Sequence, residues 1–257
     1  MIRRRVGSEF LHLLGTLGAY MATCGRSLIW EDVFVNRAAY RAAMYRLRKA
    51  GLAVERRLPD GHASIQLTES GMASLPETVD PEKYWNQKWN GIWYILAYDV
   101  PESHRSYRNV LRSFLQRMKM GSLQKSVWIT ARDIRPEYYD LIKAADLDLY
   151  ARLFESRTVL GAKSSEIVWS AWDFNRINGL QYHFLRACED NAALVSARRF
   201  NRSDLICLAR EQLTAYLEVM EPDPLLPKSL WPDGYCGPEL IQAHNRLLQE
   251  IAKCIQA

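Results

Sequence analysis

Arginine carries the most legible chemistry in this chain. Arg37, Arg41 and Arg48 recur with Tyr45 and Lys49 at helical spacing inside residues 36–51 (NRAAYRAAMYRLRKAG), and Arg56, Arg57 and His62 follow closely. A guanidinium is a planar fork of donors that meets a phosphate, or the N7 and O6 edge of guanine, with two hydrogen bonds at once. At about 100° per residue, Arg37, Arg41, Tyr45 and Arg48 fall within about 80° of one another, whereas Tyr40, Ala43, Leu47 and Ala50 gather on another side. One face suits a core and the other an anionic ligand. A solvated surface helix has the same composition, so the neighbouring elements must decide.

Asn36 is a good N-cap, and Gly51 suits the position just past a helix end. The residues between are rich in alanine, arginine, leucine and methionine, without proline or a β-branched side chain. Residues 52–58 read as a strand and 63–67 as its returning partner. Between them Pro59-Asp60-Gly61 is a turn in which proline presets φ and glycine accepts a positive one. A helix followed at once by a hairpin with Arg56, Arg57 and His62 near its tip is the pattern of a winged helix-turn-helix. There the helix enters the major groove and the hairpin touches the flanking backbone. Residues 9–22, apolar at Phe10, Leu13, Leu14, Leu17 and Met21, and residues 27–34 would supply the preceding helices. Arg37 and Arg41 are then the expected base readers. Arg48, Arg56, Arg57 and His62, with Tyr45 and Lys49 beside them, are expected at the phosphates, which position without specifying.

The charge distribution agrees. The net charge is +5, and residues 1–75 hold 11 Lys+Arg against 6 Asp+Glu, so the remainder is balanced. Phosphate neutralisation dominates affinity for DNA, which makes this segregation informative. Five cysteines (Cys24, Cys188, Cys207, Cys236, Cys254) share no C-x-x-C spacing, and the five histidines show no metal-ligand spacing. A reduced, cytoplasmic setting without a structural metal or a cofactor is expected. No apolar run reaches the roughly 20 residues needed to cross a bilayer, so no membrane partner is expected.

The expected organisation is α+β: a winged-helix domain at 1–75, a linker at 76–91, a ferredoxin-like dimerisation domain at 92–162 and a helical domain at 163–257. In the linker, Tyr84, Trp85 and Trp89 read as a staple between units rather than a ligand platform. A strand at 93–100 leads to an amphipathic helix capped by Ser103, with Val110, Leu111, Phe114, Leu115 and Met118 as its buried stripe. Strands near Leu123 and at 126–130, a helix at 136–145 and a strand at 149–159 complete the β-α-β-β-α-β order. Such a sheet buries one face under its helices and leaves the other for a partner. The C-terminal part is helical, capped at Ser203 and broken by the proline-rich segment 221–227 and a turn at 231–235.

Three stretches carry a resemblance to a known family: 40–52 (YRAAMYRLRKAGL), 89–93 (WNGIW) and 223–227 (DPLLP) followed by Leu230-Trp231-Pro232. The chain resembles the PaaX family, repressors of phenylacetic-acid degradation operons and their relatives. The resemblance implies a winged helix, a central ferredoxin-like domain and a helical C-terminal domain. It further implies a homodimeric repressor on an inverted-repeat, double-stranded operator, released in the name-giving members by an aryl-acyl-coenzyme A. The segment before the reader helix is shorter than the family pattern, which puts the approach angle of that helix in question. Residues 98–102 (YDVPE), Arg105, Arg108, Gly121 and 126–128 also look like the small ferredoxin-like protein of CRISPR spacer acquisition. That likeness implies a second reading, a repressor of a CRISPR or defence operon without a small-molecule effector.

The same likeness raises a third. Asp99 matches an aspartate associated in that protein with metal-dependent nuclease activity, where carboxylates hold Mg²⁺ and polarise a phosphate or water. One carboxylate per chain needs a symmetric dimer to supply a second; the plainer role for Asp99 is capping the turn at Ser103. No nucleophile elbow, phosphate loop, zinc-protease or dinucleotide motif is present, so a non-enzymatic protein is expected. Trp169, Trp172, Tyr182, His183 and Arg186 have the chemistry an acyl-coenzyme A would want, aromatics for the acyl group and arginine for phosphates. Aromatics at helical spacing equally describe a core.

Overall fold

The computed structural model of the protein describes residues 37–57, 63–73, 77–145, 148–159 and 161–256. The helices expected at 9–22 and 27–34, the Pro59-Asp60-Gly61 turn and His62 lie outside these residues. Among the described residues the structure is mixed α+β with two small sheets. It divides into a terminal unit (residues 1–80, 181–221 and 237–257) and a central unit (81–180 and 222–236).

In the terminal unit, α1 (Arg37–Lys49) leads to β1 (Ala53–Arg57), β2 (Ala63–Leu67) and α2 (Glu69–Ala73). Arg46, Arg48 and Lys49 fill the last turn of α1, where the helix dipole favours cations. The helix stops at Gly51, whose φ of +69° suits a residue without Cβ. The Gly51 N–H donates to Arg48 O (3.0 Å) and the Leu52 N–H to Leu47 O (2.9 Å), the paired bonds of a Schellman end. β1 and β2 pair antiparallel, with Ala53 opposite Leu67 and Arg57 opposite Ala63. Thr68 fastens the hairpin base: its hydroxyl donates to Gly51 O (2.6 Å) and accepts from the Gly71 N–H (3.0 Å). A Cβ at Gly71 would collide with the Leu52 carbonyl, so only glycine lets α2 approach this closely.

The central unit begins with α3 (Glu82–Trp85). It continues through β3 (Trp93–Tyr98), α4 (Arg105–Arg117), β4 (Gly121–Gln124), β5 (Val127–Thr130), α5 (Arg135–Ala145), β6 (Ala151–Ser156) and α6 (Ser164–Ala171). The sheet order is β4-β5-β3-β6, every neighbour antiparallel. Strand alternation sorts the side chains. Tyr94 and Leu96 pack with Leu111, Phe114, Leu115 and Met118 of α4 and Tyr138 of α5. Trp93 and Ile129 pack on the other side with Ile167, Val168, Ala171, Trp172, Leu226 and Leu230. The sheet face expected to stay open for a partner is therefore covered, and this corrects that expectation. At Gly121 an added Cβ would sit 2.6 Å from the Trp172 ring. His104 holds the N-cap position of the helix before β4, without a side-chain cap, after a 3-10 turn, Glu102–His104, so Ser103 is not its cap, and Val110 is exposed rather than part of the buried stripe.

The DPLLP segment closes over the second sheet face. Buried Asp223 accepts from the Leu225 N–H (2.8 Å) and the Tyr235 hydroxyl (2.7 Å), and its carbonyl accepts from Lys119 Nζ (2.7 Å). Trp85 meets Trp231 edge-on at 5.4 Å and Tyr235 at 5.9 Å. Trp89 tilts on Trp93 at 5.1 Å. These aromatics bind the linker to the central unit itself. The remaining helices are α7 (Phe174–Ser196), α8 (Arg202–Met220) and α9 (Gly237–Gln256). Asn201, not Ser203, caps α8, accepting from the Asp204 N–H at 3.0 Å.

Candidate nucleic-acid interface

The α1 surface is built by two anchors and a ring of cations. Met44 and Leu47 are buried, and the opposite side exposes Arg41, Tyr45, Arg46, Arg48 and Lys49. Ala50, placed by helical spacing on the buried side, is exposed because α1 ends at Lys49 and Ala50 belongs to the turn. Tyr45 is 65% exposed. Lys49 Nζ lies 5.9 Å from the Tyr45 ring centroid, a weak cation–π contact that steadies both groups. On β1, Arg56 is exposed. Arg37 is the first residue of α1 and Arg57 the last of β1.

Arg48 is not simply a solvated cation. Its Nη1 donates to Glu55 Oε2 at 2.9 Å, joining α1 to β1 across an exposed pair. Such a pair is worth about 0–1 kcal/mol, yet it fixes the guanidinium between helix and hairpin. Nothing in the spacing of Arg48 and Glu55 announces it, because the contact depends on how the Schellman turn swings β1 back along the helix. Arg46 was also missed, since it falls between the two faces drawn by helical spacing.

The effector candidates differ in their surroundings. Trp172 is core: its Nε1 donates to Lys119 O (3.1 Å) and its ring covers Gly121. Trp169 is exposed and meets Phe174 edge-on at 6.0 Å. Tyr182, His183 and Arg186 lie exposed on α7, with Arg186 paired to Glu189 at 3.2 Å. Trp169 and Trp172 belong to the central unit, the other three to the terminal unit.

Asp99 follows β3 and is exposed; its N–H donates to Tyr150 O at 2.8 Å. It does not cap the next turn, whose N-cap position is Pro101. The end of β3 is held by Arg108 instead, whose Nε and Nη2 donate to Val100 O at 2.9 and 2.8 Å while Nη1 lies 3.6 Å from Glu102. Beside it the Tyr150 hydroxyl and His104 Nδ1 are 2.8 Å apart. Among the described residues no group of three or more His, Cys, Asp or Glu could hold a metal ion. No described helix is long and apolar enough to cross a membrane.

A buried polar cluster in the terminal unit was not legible in the sequence. Gln212 Nε2 lies 2.8 Å from Cys188 Sγ and 3.3 Å from His244 Nδ1. His244 stacks on Tyr216 at 4.3 Å, and the Tyr216 hydroxyl donates to Thr78 O at 2.8 Å. Burial pushes the Cys188 thiol up to about 12, so it is inert as a nucleophile near neutral pH. These residues are 24 to 138 positions apart, beyond the reach of any local pattern.

The central unit carries a Cas2-like domain: residues 86–168 match the family model described as the PaaX protein central Cas2-like domain. The PaaX resemblance is thereby shown over this segment. Along its length it is similar to a solved structure, "Uncharacterized protein Rv0674 from Mycobacterium tuberculosis", at a TM-score of 0.59 and 19% identity over 98% of each chain. At that identity the likeness shows a common fold. A comparison with the curated proteins gives no match.

Proposed function

We propose that the protein is a sequence-specific regulator of transcription, a homodimeric repressor that reads double-stranded DNA with α1 and its hairpin. The observation that carries this reading is the acid-free α1 surface, Arg41 and Tyr45 outward, locked to a hairpin bearing Arg56 through Gly51, Thr68 and Gly71. The PaaX central domain supports it. We read residues 1–75 as a winged helix, and the helix–hairpin–helix succession of 37–73 supports that reading. We read 92–162 as a ferredoxin-like split fold, for which the β-α-β-β-α-β order and the strand order β4-β5-β3-β6 speak. Pairing of two chains would cover exposed Tyr139, Leu149 and Phe154 of the central unit. Release by an aryl-acyl-coenzyme A, cytoplasmic location and an inverted-repeat operator rest on the resemblance. The nuclease reading rests on the resemblance at Asp99 alone, and is not adopted.

Selection from a random duplex library, then electrophoretic titration of wild type, Arg41→Ala and Arg56→Ala, tests this. Arg41→Ala should lose about ten- to hundredfold discrimination between selected and random duplexes, the value of a bidentate base contact. Arg56→Ala should weaken both alike and lower the log–log salt slope by about 0.9, one phosphate contact. Absence of duplex binding by the wild type would overturn the proposal. Incubation with labelled RNA or DNA and Mg²⁺ beside Asp99→Ala tests the rival; cutting that disappears in the variant would favour it.

A further inference from the structure

The balanced charge of residues 76–257 conceals a second basic surface. Residues 102–125 hold six Lys/Arg and one acidic residue, Glu102. Four of the cations lie on α4 (RSYRNVLRSFLQR), which contains no acid at all. Its inner side is spent on Leu111, Phe114 and Leu115. Arg105, Asn109, Arg112 and Gln116 fall outward within about 60° of one another, with Ser113 and Arg117 along one margin, and all six are exposed. Arg108 is occupied by the Val100 carbonyl and Glu102. On the neighbouring α5, Glu137 is engaged by Arg132 at 3.6 Å, and Asp140 is exposed.

We propose that this outer face of α4 is a second contact for the backbone of duplex DNA, with Arg105, Arg112 and Arg117 as its phosphate ligands. The proposal rests on the DNA-binding reading above and adds a site to it. The face offers donors: three guanidinium forks, two side-chain amides and a hydroxyl. Arg105 and Arg117 are about 18 Å apart along the axis at 1.5 Å per residue, a length that meets several phosphates at about 3.4 Å per strand charge. The Arg117 guanidinium rests over the Phe114 ring at 5.7 Å, which limits the freedom lost on binding. Beside it lies a cavity of about 330 Å³ lined by Val110, Phe114 and Leu141 and by the donors Asn109, Ser113 and Arg117. Apolar and donor groups together suit a sugar–phosphate strand. The face carries cations and amides rather than the aromatic anchors enriched in protein contacts, which favours the DNA backbone over an acidic protein.

The test uses the full chain, a labelled 40-base-pair random duplex (length ~40, enough for several phosphate contacts) and a salt series. R105Q/R112Q/R117Q should lower the log–log slope by about two to three and the affinity at about 0.15 M salt by tenfold or more. R105Q/R112Q leaves the Arg117–Phe114 contact intact and should lower the slope by about two, with an unchanged melting temperature excluding misfolding. An unchanged slope in both variants overturns the proposal. If Arg41→Ala and Arg56→Ala impair binding while the triple variant does not, the α1 reading stands and the α4 proposal falls. If the triple variant alone impairs binding, the α4 proposal stands and the α1 reading falls. If polyglutamate binds the wild type, is lost in the triple variant and the duplex slope does not move, the partner is an acidic protein and the proposal is overturned.

Discussion

Two 13-residue helices, α1 and α4, each lack acidic residues and each turn arginines outward, yet their surroundings differ. α4 lies on a four-stranded sheet with Leu111, Phe114 and Leu115 buried along its length. α1 buries Met44 and Leu47 and runs straight into a two-stranded hairpin through paired backbone bonds at Gly51 and Leu52. The difference teaches how charge becomes visible. The α1 charge shows in the balance of the whole first segment, whereas the α4 charge is cancelled on paper by acids elsewhere in the chain. A domain-scale charge count finds the first and misses the second.

The comparison can be broken through stability. Phe114→Ala should lower the unfolding free energy by about 3–5 kcal/mol and Leu47→Ala by about 2 kcal/mol, measured by urea denaturation. Equal losses would mean that the two helices depend on their packing alike. Next in size, Gly71→Val should cost about 1–3 kcal/mol by overpacking against the Leu52 carbonyl. It should also weaken duplex binding although it removes no cation; unchanged binding would show that the Thr68–Gly71 lock does not matter to the surface.

Smaller effects sharpen the same contrast. Glu55→Gln frees Arg48 and removes a negative charge, so stability should change by less than about 1 kcal/mol while affinity for a random duplex rises a few-fold. A fall would mean that Glu55 positions Arg48 productively. The smallest effect is in acid. Arg135 donates to Asp133 through Nε (2.9 Å) and Nη2 (2.6 Å) and holds that carboxyl below the usual range. A depressed folded-state value stabilises above the ordinary carboxylate pKa and is lost as pH falls through the folded value. Asp133→Asn should therefore flatten the stability–pH curve below about pH 4 and leave the slope near neutrality alone.

Much of the central unit was legible because strands such as 93–98 are continuous apolar runs and Gly121 and Pro101 punctuate them. Periodicity also drew α1 with its cap at Gly51. What could not be read were consequences of tertiary closure. The covered sheet face depends on residues 222–236 returning to strands more than 90 positions earlier. Trp172 could be read as core or as ligand-facing because its type says nothing of Gly121 beneath it. Asp99 looked like a turn cap, but Pro101 took the N-cap position and Arg108 took the strand end.

The most direct test of the central claim places a photoreactive benzoylphenylalanine at position 41 and irradiates the full chain with the selected duplex. The α1 reading predicts a covalent adduct at that position, abolished by excess unlabelled duplex. A chain that still binds the duplex but yields no adduct there would contradict it.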